Sequence, residues 1–467
     1  MVKSEMEVPA VLSDISAGPM SLSDWLDRVE SRTARIGVIG LGYVGLPLTL
    51  LFSEERFRVT GFDIDAAKVE RLNAGESYIH RIETEHIQAA QRAGFEATAD
   101  FARIAEVDAV LICVPTPLHE DHTPDMSYVV STIEAIAPHL RAGQLVVLES
   151  TTYPGTTEEI IVETINRHGA GQGVTVMRNG ADSSEELSGV MVAFSPERED
   201  PGNLVTPRRD IPKVIGGVDQ LASTAASALY GTVFNRTVLM SSPAAAEMTK
   251  LLENIYRCVN IALVNELKQL CQKMEINVWE VIDAAATKPF GFQAFYPGPG
   301  VGGHCIPVDP FYLSWKAEQY GFSTRFIELA GEVNESMPQY VVQTAARALE
   351  RNGVALRGAK VLVLGVAYKR DVDDLRESPA VTILELLKRA GAEIAYNDPF
   401  FATVGRGRRY DLNLASVPLD DLAGFDCVLI ATDHSAYDFE KIVAESRLVI
   451  DSRNATKDIN SPKIVRC

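Results

Sequence analysis

The stretch PGPGVGGHCIPVDP, Pro297 to Pro310, concentrates residues able to do chemistry. Its prolines and glycines exclude a regular helix or a central strand, so it reads as a rigid, turning loop around one thiol, Cys305. Cysteine is more often a small buried side chain than a reagent. Cys113, Cys258, Cys271 and Cys427 fit that reading, because they lie in apolar strand or helix patterns. Cys305 has Gly, His and Pro as neighbours and Asp309 just beyond. A metal site would need a further ligand pair nearby, and the loop has none. His304 adjoins Cys305, and sequence neighbours usually point apart, so a Cys–His dyad is weakly supported. The sharper reading is a thiolate that attacks a carbonyl. Next to a dinucleotide site, it would carry an aldehyde to a thioester.

A dinucleotide site is legible in RIGVIGLGYVGLPLTLLFSEERFRVTGFDID, Arg35 to Asp65. The pattern is strand Ile36–Ile39, a glycine turn, helix Leu46–Glu55 and strand Arg58–Asp63. Gly40 permits the tight turn, Gly42 admits a pyrophosphate to the backbone, and Gly45 allows close helix–strand packing. The helix N-terminus then attracts the phosphates. Asp63 closes the second strand, where a carboxylate meets a ribose 2′-hydroxyl and repels a 2′-phosphate, which favours NAD over NADP. A turn kept for packing alone is the competing reading.

The segment AAAEMTKLLENIYRCVNIALVNELKQLCQK has strong helix formers and no proline or glycine, which predicts one long helix from Pro243 to about Lys273. It is apolar on most faces, so it belongs in the interior or in a subunit interface. Glu247, Lys250, Asn254 and Arg257 share one face of it. Either they pair with one another or with solvent, or they line a cavity that holds an anion. Polar clusters also follow apolar strands: VPTP at Val114–Pro117, ESTTYPGTT at Glu149–Thr157 and SPERED at Ser195–Asp200. In a doubly wound sheet such loops form the ligand crevice. Each residue alone is as consistent with capping or turn chemistry.

Alternating strands and helices imply an α/β fold with two Rossmann-like, doubly wound domains joined by a long central helix and a helical middle. Lys360 opens the second such unit, with strand Val361–Leu364, a helix from about Ser378-Pro379, and strands at Glu393–Tyr396, Cys427–His434 and Leu448–Asn454. The expected divisions are a tail and short helix at 1–30, an NAD-binding domain at 31–240, a helical middle domain at 241–340, and a second α/β domain at 341–467. The boundary before the last is placed near Pro338–Ala355. The net charge of −19 argues against nucleic-acid binding and requires basic residues to gather locally around any anionic ligand. Six cysteines without a CxxC pair fit a reducing compartment rather than a disulfide framework or a zinc site. The sequence offers neither a membrane span nor a signal peptide, so a cytoplasmic protein is expected.

GLGYVGLP, CVPTP, ESTTYPGTT, SPER, PKVIGG, AEMTKLLEN, GVGGHCIPVDP, GVAYKRDVDDLRESP and DSRN occur in this order. Through them the chain resembles the nucleotide-sugar 6-dehydrogenases of the UDP-glucose/UDP-mannose type over nearly its full length after the tail. The resemblance implies a four-electron oxidation of a sugar C6 alcohol to a carboxylate with two NAD used in turn. Cys305 then looks like the nucleophile, Lys250 and Asn254 like the stabilisers of developing oxyanions, and Asp309 like the group that handles proton and water. Glu197 matches an acid suited to water activation or substrate positioning, and Thr151 lies near the reacting carbon. The cofactor set implied is Gly40, Gly42, Tyr43, Val44, Gly45, Asp63, Lys68, Pro115, Thr116 and Thr151. The substrate set implied is Glu197, Lys250, Asn254, Arg257, Gly302, Lys369 and Arg376, the last two at the UDP. No metal is implied. His304 and Val308 make the loop similar to the N-acetylhexosamine branch, with UDP-N-acetylglucosamine first. UDP-N-acetylgalactosamine, UDP-N-acetylmannosamine and UDP-glucose follow. Such products feed bacterial surface polysaccharides (capsule, O-antigen), and the family implies a homodimer or higher homo-oligomer.

Overall fold

The computed structural model describes residues 20–79, 82–119, 121–169, 173–178, 186–198, 206–303, 306–407 and 410–467. Cys305, His304 and most of the N-terminal tail lie outside the described residues. The helix expected after the tail spans Leu22–Glu30, started by a Ser21/Asp24 capping box.

The first sheet contains β1 (Arg35–Ile39), β2 (Arg58–Phe62), β3 (Glu96–Thr98), β4 (Ala109–Ile112), β5 (Leu145–Leu148), β6 (Met191–Phe194), β7 (Lys213–Gly217) and β8 (Thr237–Leu239). Their spatial order is β3-β2-β1-β4-β5-β6-β7-β8, parallel except for the β6–β7 pair. The first six strands follow the dinucleotide-binding order, which reverses between β1 and β4 and opens a crevice beyond their carboxyl ends. β4, β5 and β6 are buried along their whole length. Apolar layers on both faces of the sheet explain why these strands read as continuous hydrophobic runs rather than alternating ones.

The second sheet contains β9 (Lys360–Leu364), β10 (Glu393–Asn397), β13 (Cys427–Ile430), β14 (Val449–Asp451) and β15 (Ile464–Arg466), all parallel, in the order β10-β9-β13-β14-β15. A hairpin of β11 (Thr403–Arg406) and β12 (Asp411–Ala415) stands beside it.

Between the sheets runs the expected long helix, Pro243–Lys273, which we call the central helix. Ser242 caps it through Ala245 N–H, and Pro243 occupies its first turn, where a missing N–H costs nothing. Helix Asp309–Glu318 begins inside the glycine-proline stretch, and Pro310 again sits in the first turn. A second long helix, Arg325–Arg351, packs along the central helix and then against helix Pro379–Arg389. It continues through Pro338, which is buried within it.

Candidate active site

The glycine turn after β1 is built as a dinucleotide fingerprint requires. Gly40 has φ +87°, and a Cβ there would meet the Cys113 carbonyl oxygen at 2.8 Å. A Cβ at Gly45 would meet the Gly40 carbonyl oxygen at 2.0 Å. A Cβ at Gly42 would meet nothing within 4 Å, so backbone at that point is open to a ligand. The helix that follows, Gly45–Glu54, has Val44 at its N-cap and no side-chain cap; Leu46 N–H is held by the Gly42 carbonyl at 3.1 Å and Pro47 has no N–H, so a phosphate there would meet the turn's backbone and the positive end of the helix dipole. Asp63, immediately past β2, is buried; its Oδ2 accepts Leu41 N–H at 2.9 Å and lies 3.6 Å from Lys68 Nζ. Tyr43 is exposed on the turn. These features fit a dinucleotide whose pyrophosphate rests on the turn and whose ribose faces Asp63.

At the next strand ends, Thr116 Oγ1 donates to the Thr151 carbonyl at 2.8 Å, tying the loop after β4 to the loop after β5. Pro115 is exposed beside it. Tyr312, from the helix after the glycine-proline stretch, donates its hydroxyl to the Thr116 carbonyl. The cofactor-side loops and the helix that starts at Asp309 are therefore one connected unit.

The central helix supplies the groups predicted for its polar face, and it divides them. Asn254 Nδ2 donates to Asp309 Oδ2 at 2.5 Å, and Arg257 Nη2 donates to Asn254 Oδ1 at 3.2 Å. Lys250 is buried near the same carboxyl. Burial raises the Asp309 carboxyl to about 6, while Lys250, Asn254 and Arg257 pull it down. Glu247 faces elsewhere: its carboxylate accepts Gly155 N–H, Thr157 N–H and the Thr157 hydroxyl at 2.6, 2.9 and 2.6 Å. It clamps the turn after β5 rather than lining a cavity with the other three.

Glu197 follows β6. Its Oε1 accepts Arg198 N–H at 2.8 Å, and its Oε2 lies 3.7 Å from Lys213 Nζ. Lys213, on β7, is buried and pairs with buried Glu149 at 2.5 Å, while Tyr230 donates its hydroxyl to Glu149. The Glu149–Lys213–Tyr230 group was not anticipated. Glu149 and Lys213 stand in the ESTTYPGTT and PKVIGG segments, where each reads as an ordinary strand-end charge. Only strand order makes β5 and β7 near neighbours across β6.

The loop itself is gripped by the second α/β domain. Gly303 N–H donates to the Arg376 carbonyl at 2.9 Å. A Cβ at Gly302 would lie 2.7 Å from Tyr368 Cβ and 2.8 Å from the Glu377 carbonyl oxygen. Gly302 thus permits close backbone approach. The Arg376 guanidinium stacks over the Tyr43 ring at 5.3 Å, which brings it to the glycine turn of the first domain. Lys369 is half-buried on the turn after β9. Arg453, in the DSRN segment, was also missed; its Nε donates to the Ala431 carbonyl at 2.8 Å, and its Nη1 would lie 2.8 Å from a Cβ at Gly298. Among the described residues no group of His, Cys, Asp and Glu is arranged to hold a metal ion, and no helix is long and apolar enough to cross a membrane.

Residues 34–234, 244–336 and 362–458 match, in turn, the NAD binding, central and UDP binding domains of the UDP-glucose/GDP-mannose dehydrogenase family. The chain belongs to that family. It is accordingly an NAD-dependent oxidoreductase of UDP-sugars, with NAD as its cofactor. The UDP-N-acetyl-D-mannosamine dehydrogenase of Escherichia coli K12 is 36% identical over 415 residues, covering 86% of this chain and 94% of that one. The solved UDP-D-ManNAc dehydrogenase of Pyrococcus horikoshii superposes with a TM-score of 0.80 at 31% identity, over 92% of this chain and 98% of that one. A UDP-glucose dehydrogenase from Pyrobaculum islandicum superposes with a TM-score of 0.78 at 29% identity, over 92% and 96%. As a family member the chain has the three-part order described above, with the central helix between its two nucleotide-binding sheets.

Proposed function

We propose that this dehydrogenase oxidises the C6 alcohol of a UDP-N-acetylhexosamine to the uronic acid, with UDP-N-acetylglucosamine as first choice. The observation that carries the C6 oxidation is the Asn254–Asp309 hydrogen bond with Lys250 beside it, at the foot of the loop that holds Cys305; the choice of an N-acetylhexosamine rests on His304 and Val308 in the loop sequence. NAD, when bound, supplies the hydride acceptor for each of two oxidations. Lys250 and Asn254 present a cation and an N–H donor where negative charge grows on the sugar oxygen. Cys305 adds its sulfur to the C6 aldehyde and releases the acid from a thioester, for which one water is consumed. Asp309 and Glu197 are the carboxylates able to take protons from the thiol, the alcohol and that water. Thr151 lines the approach to the reacting carbon. Tyr43, Val44 and Lys68 complete the cofactor side with Gly40, Gly42, Gly45, Asp63, Pro115 and Thr116. Lys369 meets the UDP, and Arg257 and Gly302 border the sugar; Arg376, stacked on Tyr43, extends towards the cofactor as well.

The domain divisions proposed are those of the sequence, with the reaction carried out between the NAD and UDP domains. The reaction is placed in the cytoplasm, with the product destined for surface polysaccharide. A homodimer is proposed on the central helix, whose exposed Leu252, Leu263 and Leu270 form an apolar stripe. The names of the mannosamine relatives favour a second reading, UDP-N-acetylmannosamine. A panel of UDP-N-acetylglucosamine, -galactosamine, -mannosamine and UDP-glucose with excess NAD, counting NADH per sugar, decides among them. Two NADH per sugar from one N-acetylated substrate is the expected result. One NADH per sugar would remove the four-electron reaction, and turnover of UDP-glucose alone would remove the N-acetylhexosamine.

A further inference from the structure

Two amides on the central helix hold the two ends of the Cys305 loop. Asn254 and Asn265 are eleven residues apart, close to three full turns, so they share one face about 16 Å apart along the axis. Where the loop ends, Asn254 Nδ2 donates to Asp309 Oδ2. Where it begins, Gly298 N–H donates to Asn265 Oδ1 at 3.0 Å. Lys268 Nζ reaches the Gly298 carbonyl at 3.5 Å, so both backbone polar groups of Gly298 are engaged.

Asn265 is itself locked. Its Nδ2 donates to Asn334 Oδ1 at 2.9 Å, and Asn334 Nδ2 donates to the Cys258 carbonyl at 3.2 Å. The two asparagines are 0% and 2% exposed, so neither amide can turn over and find water instead. A reversed Asn265 would set its NH₂ against Gly298 N–H and its oxygen against the Asn334 oxygen. The donations therefore run in one sense, from Gly298 of the loop to Asn265 of the central helix, on to Asn334 of the second long helix, and back to the Cys258 carbonyl.

We propose that Asn265, held by Asn334, is a positioning residue that fixes the entry of the nucleophile loop, so that the central helix sets the loop's span. The inference rests on the reading of Cys305 as nucleophile. Gly298 lies seven residues before Cys305, and a displaced loop costs the chemical step more than it costs ground-state binding.

The test compares Asn265→Ala with Asn265→Asp, which keeps an acceptor for Gly298. Asn265→Ala is expected to lower kcat about 30-fold or more with both KM values within about twofold, and Asn265→Asp to recover at least about tenfold of the loss. Alkylation of Cys305 by iodoacetamide in the substrate-free enzyme, read by peptide mass spectrometry, should change in rate by more than about fivefold in the Ala variant alone. Should Asn265→Ala not fold, Asn265→Ser, too short to reach Gly298, carries the same expectation. Unchanged kcat and alkylation in the folded Ala or Ser variant would overturn the proposal. So would equal losses in the Ala and Asp variants. Cys305→Ser separates the two readings: if it still makes acid, the nucleophile assignment fails. If it is inactive while Asn265→Ala is normal, only the positioning role fails.

Discussion

Asn254 and Asp309 meet through a 2.5 Å hydrogen bond in the interior, joining the central helix to the first turn of the helix that follows the Cys305 loop. The Asn254 amide is oriented from both sides, since its Oδ1 accepts from Arg257 Nη2. Its NH₂ is thereby committed to the carboxyl. The same burial that makes this bond strong makes the ionised carboxylate costly, and the two effects leave Asp309 titrating at about 6.

That value predicts an acid limb. Asp309 is neutral below its raised value of about 6 and ionised above it, so kcat/KM is expected to rise with pH through this region. In Asp309→Asn the limb should vanish and kcat should drop by about 10²–10⁴. Stability has the opposite sign. Between the ordinary value of 3.8 and about 6 the native state binds more protons than the unfolded state, so stability falls as pH rises across that window. The full change amounts to about 3 kcal/mol, of which about 2 kcal/mol falls between roughly pH 4.5 and 7, and it is absent in the Asn variant. Rate profiles and urea melts at pH 4.5 and 7 provide the check (the pH values chosen to bracket about 6). An acid limb retained in Asp309→Asn would assign it to another group.

Two neighbouring glycines should fail in different ways. At Gly45 an added methyl would meet the Gly40 carbonyl oxygen at 2.0 Å, whereas at Gly42 it would meet nothing within 4 Å. Gly45→Ala is therefore expected to lower Tm or prevent folding through backbone overlap. Gly42→Ala should keep Tm within about 2 °C yet weaken NAD binding by about tenfold or more, because the methyl occupies the space of the pyrophosphate. Thermal melts and isothermal titration with NAD distinguish them. Normal NAD affinity in Gly42→Ala would mean that the cofactor does not approach this turn.

Much of this architecture was legible because it is periodic or local. The turn from Gly40 to Gly45 and the uninterrupted helix Pro243–Lys273 are written in adjacent residues. The Asn254–Asp309 bond is not; it joins residues 55 apart in sequence, and helical spacing alone gives Asn254 no partner. The same spacing grouped Glu247 with Lys250, but the turn after β5 lies against Glu247 and offers it the N–H groups of Gly155 and Thr157, partners that helical spacing does not reveal. Pro338 is a local helix breaker, yet it sits buried within helix Arg325–Arg351, whose packing along the central helix outweighs it.

Lys213 is expected to be a stability hot spot. It serves two carboxylates, Glu149 at 2.5 Å and Glu197 at 3.7 Å, from a buried position. Lys213→Met would strand Glu149 without a counter-charge, which costs about 3–5 kcal/mol for a buried ion. Adding Glu149→Gln removes the stranded charge and should restore much of the loss. Urea denaturation of the two single variants and the double variant measures the coupling. A Lys213→Met protein as stable as the parent would show that the pair is better solvated than its burial implies.

The exposed face of the central helix makes the last prediction. Leu252, Tyr256, Leu263, Leu267, Leu270 and Met274 are 59%, 48%, 54%, 40%, 51% and 57% exposed. Their separations of four, seven, four, three and four residues put them on a single stripe about 33 Å long. An apolar stripe of that length is rarely left in water. In a two-fold contact each of its residues lies near the same stripe of the second copy. Leu263→Glu with Leu267→Glu would then bring four carboxylates together in an apolar interface. The protein is expected to elute at half its parent mass by size-exclusion chromatography with light scattering, while its far-UV circular dichroism is retained. If the parent is already monomeric at micromolar concentration, or the double variant keeps the parent mass, the stripe is not the oligomer interface.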